Sequence, residues 1–194
     1  MTLQAQQLMT EAEYLAFERN AQEQHELVNG QVRLLDRGNQ AHSLILTNLA
    51  SELRHHLKRR PCEVHLKGLR LKVDETGLYT YPDVAVVCGE PIFEDQHHDT
   101  LVNPLLVVEV LSPSTEAYDR GAKFEHYRRL PSLAAYLLVS QDKPHLELFR
   151  RLPDGDWRLT EASGLEASLE IPEVGVTLAL AEVYDKVPGL GKTL

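Results

Sequence analysis

Two acidic residues stand where acids are costly. Asp83 opens the aliphatic run Asp83-Val84-Ala85-Val86-Val87 directly after Pro82, and Glu109 lies inside Leu105-Leu106-Val107-Val108-Glu109-Val110-Leu111. On a strand, Glu109 shares its face with Val107 and Leu111, while Val108 and Val110 point to the other side. An unpaired carboxylate buried there is strongly unfavourable, so a cation or hydrogen-bond donors must meet it. A structural salt bridge accounts for either acid alone. Two acids on the two most apolar strands point instead to convergence on one cation. Oxygen donors with no Cys or His beside them in sequence suit Mg²⁺ or Mn²⁺ rather than zinc. Downstream, Asp119, Lys123 and Tyr127 follow at four-residue steps, which places them on one face of a helix. Lys123 there reads equally as a cavity lysine or as a solvated partner of Asp119.

The elements that must position these groups can be read from periodicity. Thr10-Glu11-Ala12-Glu13 is a capping box opening a helix to about Arg19. His25 to Val28 and Gln31 to Leu35 flank Asn29-Gly30, a strong hairpin signal. Leu44, Ile45, Leu49, Leu53 and Leu57 recur at helical spacing, which predicts an amphipathic helix over 40–58. Strands are expected at 63–66, 69–73, 83–87 and 105–111, the last two near-continuously apolar as doubly buried strands are. A helix over 119–130, strands at 135–140, 145–150 and 157–161, and a short helix near 178–184 complete the reading. No linker or repeat divides residues 1–194, so one domain is expected, its core over about 10–185. The pattern is a mixed α/β (α+β) domain with one central sheet flanked by helices.

Composition narrows the function classes. The chain of 194 residues carries 20 basic against 29 acidic side chains, a net charge of −9. That argues against a protein coating nucleic acid non-specifically, while leaving room for local basic runs such as Arg54 to Arg60 with Lys67, Arg70 and Lys72. Cys62 and Cys88 are too few for a disulfide framework and form no zinc pair. With no membrane-length apolar run and no basic, apolar leader at Met1 to Ala5, the expectation is a cytoplasmic protein with both thiols reduced. Gly189-Leu190-Gly191-Lys192-Thr193 imitates a phosphate loop but has no strand leading in and no helix following. Asp95-Gln96-His97-His98-Asp99 reads as a polar loop, and nothing near either cysteine supports an activated thiolate.

The motifs carry a resemblance. Tyr81-Pro82-Asp83-Val84-Ala85-Val86-Val87, Val107-Val108-Glu109-Val110-Leu111-Ser112-Pro113-Ser114-Thr115, and the spaced Asp119, Lys123 and Tyr127 resemble the Uma-type restriction endonuclease family of the PD-(D/E)xK nuclease superfamily. His25-Glu26-Leu27-Val28-Asn29-Gly30, His42-Ser43 and Pro131 to Val139 extend the likeness from about Thr10 to Tyr184. The resemblance implies a restriction-endonuclease-like fold and a Mg²⁺- or Mn²⁺-dependent endonuclease hydrolysing DNA phosphodiester bonds. Asp83 and Glu109 would ligate the metal, with Glu26 as a third carboxylate, and Lys123 would hold the attacking water. Leu111 stands where the usual motif has its lysine, so that role would have moved to Lys123. A homodimer is expected, because double-strand cleavage commonly needs two centres. The rival expectations are a catalytically silent nucleic-acid-binding protein of the same fold, or a structural homodimer whose carboxylates are satisfied by Arg or Lys.

Overall fold

The computed structural model describes residues 8–36 and 38–191. The opening Met1 to Ala5, and Lys192 and Thr193 of the phosphate-loop look-alike, lie outside the described residues. Along the chain come α1 (Glu11–Glu18), β1 (His25–Val28), β2 (Gln31–Leu34), α2 (Gln40–Leu57), β3 (Cys62–Leu66), β4 (Arg70–Val73), β5 (Leu78–Thr80) and β6 (Val84–Cys88). They are followed by β7 (Thr100–Leu101), β8 (Leu106–Leu111), α3 (Glu116–Arg120), α4 (Ala122–Tyr127), β9 (Ala135–Ser140) and β10 (His145–Arg151). The last elements are β11 (Trp157–Ser163), β12 (Ser168–Ile171), β13 (Val176–Ala179) and α5 (Leu180–Val183).

The local signals form as their chemistry dictates. Thr10 caps α1 through a complete capping box with Glu13. Asn29 and Gly30 take φ of 51° and 79°, the two positive values a tight hairpin needs, and pair β1 with β2 antiparallel. In α2 the buried Ile45, Leu49, Leu53 and Leu57 form one stripe against Val84, Val86, Val108 and Val110 of the central strands.

The central sheet has six strands in the order β11-β10-β9-β8-β6-β3, mixed because β8 and β9 run parallel while its other pairs are antiparallel. One face takes α2, α5 and the β12-β13 hairpin. The other takes α4 and a second sheet, β2-β1-β5-β4-β7, whose Val28, Leu71, Val73, Leu78 and Leu101 pack with Ala85, Val87 and Val107.

Four details differ from the sequence reading. There are two main sheets instead of one, because the turn around Gly68 sends β3 and β4 to different sheets although both alternate. The helix expected over 119–130 breaks at Gly121 into α3 and α4. Leu178 and Ala179 end a strand, and only 180–183 are helical. Cys62 and Cys88 are joined in a disulfide, which corrects the expectation of reduced thiols. The cause is register: β3 and β6 pair antiparallel with Cys62 directly opposite Cys88, although 26 positions separate them in the chain. Among the described residues, no helix is long and apolar enough to cross a membrane.

Candidate functional site

The β6–β8 register pairs Val84 with Val108, and continuing it by one step sets Asp83 opposite Glu109. Both are buried, at 3% exposure each. The two acids are also stitched together: Val110 N–H donates to Asp83 Oδ2 at 2.8 Å, and Asp83 N–H points at Glu109 Oε2 at 3.4 Å. Lys123 arrives from α4, its Nζ 2.8 Å from Glu109 Oε1 and 3.2 Å from Asp119 Oδ1. Tyr127, one turn further, donates its hydroxyl to Glu109 Oε1 at 2.8 Å. The break at Gly121 therefore keeps the four-residue spacing of Asp119 and Lys123 intact. Tyr136 OH holds the Asp119 carbonyl from below at 3.1 Å.

Asp83, Glu109, Asp119 and Lys123 wall a cavity of about 200 Å³ together with His42, Lys67 and the Ser112-Pro113-Ser114-Thr115 turn. His42 Nε2 lies 3.3 Å and Lys67 Nζ 3.7 Å from Asp83 Oδ1. Burial acts to raise the Asp83 carboxyl, but the His42 ring, the Lys67 charge and the Val110 N–H together hold it below its ordinary range. At Glu109 burial prevails and pushes the carboxyl up to about 8, against the pull of Lys123 and reinforced by the charges of Asp119 and Asp83. Lys123 is held firmly protonated: its burial is outweighed by Glu109 and Asp119.

Glu26 is placed differently from the other three. It is buried on β1, accepts from Thr80 Oγ1 at 3.2 Å and lies within electrostatic reach of Lys123, but it does not line the cavity. Besides Asp83 and Glu109, the cavity wall carries the buried Asp119 and, at its exposed side, Asp36. Leu111 is buried in the apolar cluster that includes Phe124 and Tyr127, so the ammonium beside Glu109 comes from the helix.

Residues 11–181 match the Uma2 family, described as "putative restriction endonuclease". The chain belongs to this family. It is 37% identical to the uncharacterized protein slr1290 of Synechocystis sp. over 89% of each chain. It is 34% identical to the uncharacterized protein sll1609 of the same organism, over 88% of this chain and 96% of the relative. Among solved structures it is similar to a putative nuclease of the DUF820 group from Anabaena variabilis, with a TM-score of 0.75 and 17% identity. That match covers 91% of this chain and 97% of the other, and establishes the restriction-endonuclease-like fold for this Uma2 member.

The cavity suits a hard divalent cation on its own chemistry. Asp83, Glu109 and Asp119 offer only oxygen donors, and Asp119 Oδ1 is buried without a hydrogen-bond partner despite its nearness to Lys123. Three members of this wall carried weak or no sequence signals. His42 gains its place from the Asn39 cap that starts α2, whose side chain accepts from His42 N–H at 2.9 Å. Lys67 sits just past β3 in a run that reads as an ordinary basic surface. Asp119 reads as a companion of Lys123, and only the fold shows it facing Glu109's cavity.

Proposed function

We propose that this Uma2 member is a Mg²⁺- or Mn²⁺-dependent endonuclease that hydrolyses DNA phosphodiester bonds at the Asp83–Glu109 cavity. The observation that carries the reading is the pairing of Asp83 and Glu109 in one buried cavity, with Lys123 Nζ 2.8 Å from Glu109. Asp83 and Glu109 would hold the metal, with Asp119 on the same wall and Glu26 acting from behind Lys123. When bound, the ion supplies a lowered pKa for water and neutralisation of phosphate charge. The protein's own part is positioning. Lys123 is fixed between two carboxylates, so its ammonium can orient the attacking water and steady negative charge on the phosphoryl oxygens. His42 and Lys67 present donors on the opposite rim, where they can bind a phosphate oxygen and hold Asp83 ionised. A double-strand cut uses two such centres, and we infer a homodimer; sedimentation at micromolar concentration giving 21.9 kDa would oppose it. Activity in the cytoplasm belongs to the same reading, and there the Cys62–Cys88 bridge faces a reducing environment.

The test is plasmid cleavage with Mg²⁺ or Mn²⁺ and with EDTA, in wild type, Asp83→Asn and Glu109→Gln. Metal-dependent nicking that both variants lose by a hundredfold or more supports the assignment. One rival is a catalytically silent nucleic-acid-binding protein of the same fold. Salt-dependent binding with no cleavage in any metal would establish that rival instead.

A further inference from the structure

A second cluster lies in the same row of the central sheet. Glu109 on β8 pairs with Leu138 on β9, Leu138 with Glu147 on β10, and Glu147 with Glu161 on β11. Paired positions share a sheet face, so all of these side chains project toward α3 and α4. Glu147 and Glu161 are therefore like charges set directly opposite each other, an arrangement that destabilises a sheet unless a cation separates them. His145 stands two residues before Glu147 on the same face, and its Nε2 lies 3.3 Å from Glu147 Oε1. One ligand atom each from His145, Glu147 and Glu161 lies within 4.8 Å of the others.

The imidazole is already aimed. His145 Nδ1 is tied to Ser163 Oγ at 2.6 Å, which leaves Nε2 as the nitrogen facing the two glutamates. Such an outer hydrogen bond fixes the orientation of the ring, as outer partners do for a metal-binding imidazole. The backbone under it is pinned as well: Tyr184 OH, fully buried, accepts from His145 N–H at 3.1 Å and shares its proton between Ser140 O at 2.7 Å and His145 O at 3.0 Å. Arg120 meets Glu147 Oε2 and Glu116, so it covers one oxygen of Glu147 and leaves Oε1 turned to His145. Counting Glu116, Glu147 and Glu161 against Arg120 leaves two negative charges around the His145 ring. A divalent cation balances them.

We propose that His145, Glu147 and Glu161 form a Zn²⁺ site, with a water completing the tetrahedron. One imidazole and two carboxylates suit a borderline transition ion better than Mg²⁺, which favours oxygen donors alone. The site is separate from the Asp83–Glu109 cavity. Two strand spacings, about 10 Å, separate Glu147 from Glu109, against about 4 Å between the ions of a two-metal centre. Its role is to clamp edge strand β11 to β10 beside the cavity, and it does not depend on the nuclease reading.

The experiment is calorimetric titration of untagged, EDTA-stripped full-length protein with Zn²⁺ alone, in the Asp83→Asn/Glu109→Gln background and in wild type. A one-to-one Zn²⁺ site should persist in that background. Adding His145→Ala or the conservative, surface-exposed Glu161→Gln should weaken it about a hundredfold, the scale at which disturbed ligation is felt. Circular dichroism of Glu161→Gln checks that the sheet is kept. Zn²⁺ binding that vanishes with Asp83 and Glu109, that survives both His145→Ala and Glu161→Gln, or that is absent from wild type would each overturn the proposal. Loss of DNA cleavage in the background variant bears only on the nuclease reading.

Discussion

Lys123→Met is the sharpest probe of the cavity, because it removes the ammonium while keeping most of the side-chain volume. Lys123 is 5% exposed and is the cation nearest both Glu109 and Asp119, themselves 3% exposed each. Removing one partner of such a buried cluster strands the others, at a cost of about 3–5 kcal/mol. For a chain of this size that is a fall in melting temperature of roughly 6–20 °C. Substituting the stranded acids as well, in Lys123→Met/Glu109→Gln/Asp119→Asn, should recover most of the loss, since neutral amides need no counter-charge. Urea denaturation in EDTA at pH 9, above the value of about 8 to which burial pushes Glu109, gives both numbers without interference from bound cations. If Lys123→Met lies within 1 kcal/mol of wild type, or the triple variant is no more stable than the single one, the lysine is not the counter-charge of this cavity. A solvated surface lysine would give the first of those results.

Three further outcomes follow from other parts of the fold. Asp99 is held well below its ordinary 3.8, first by the hydrogen bonds from Arg19, then by Arg70. A lowered folded-state value stabilises the protein above pH 3.8 and is lost as pH falls through the folded value, so Asp99→Asn should be less stable than wild type at pH 7 and converge with it in strong acid, by fluorescence-monitored denaturation. Leu49→Ala, at a fully buried position of α2 against the central sheet, should cost about 2–5 kcal/mol, read by thermal melting. Reducing the Cys62–Cys88 bridge, which closes a loop between positions 26 apart, should lower stability by about 2–4 kcal/mol, and unchanged melting in dithiothreitol would remove it from the stability account.

Much of the fold is written in signals that act within a few residues. The Thr10–Glu13 box, the Asn29-Gly30 turn and the leucine stripe of α2 each satisfy their own backbone or bury their own face, so each forms where its pattern stands. What the pattern leaves open is partner choice. β3 and β4 alternate alike, yet one joins the central sheet and the other the smaller one, because that assignment rests on contacts with β6 and β5 far along the chain. The disulfide was hidden for the same reason. Cys62 meets Cys88 only after β3 and β6 are in register. Gly121 is a helix-breaker by type, yet the helix expected over 119–130 runs straight through it, and the break shows only in the structure.

The site divides along the same line. Asp83 and Glu109 betray themselves because a carboxylate inside an aliphatic strand conflicts with its neighbours, and a conflict of that size needs an answer elsewhere in the molecule. Where the answer comes from is a matter of geometry. Leu111, two residues after Glu109, projects from the same strand face but into the cluster of Phe124 and Tyr127, where an ammonium would be far from water and from any acid but Glu109. Lys123 reaches Glu109 from α4 and finds Asp119 four residues back, at the end of α3, so one cation answers two carboxylates. The same stem carries Tyr127 to the remaining lone pair of Glu109 Oε1. A lysine on the strand would satisfy Glu109 and leave Asp119 unanswered. Placed on α4, it holds three walls of the cavity together, which is why its position follows the helix and not the strand motif.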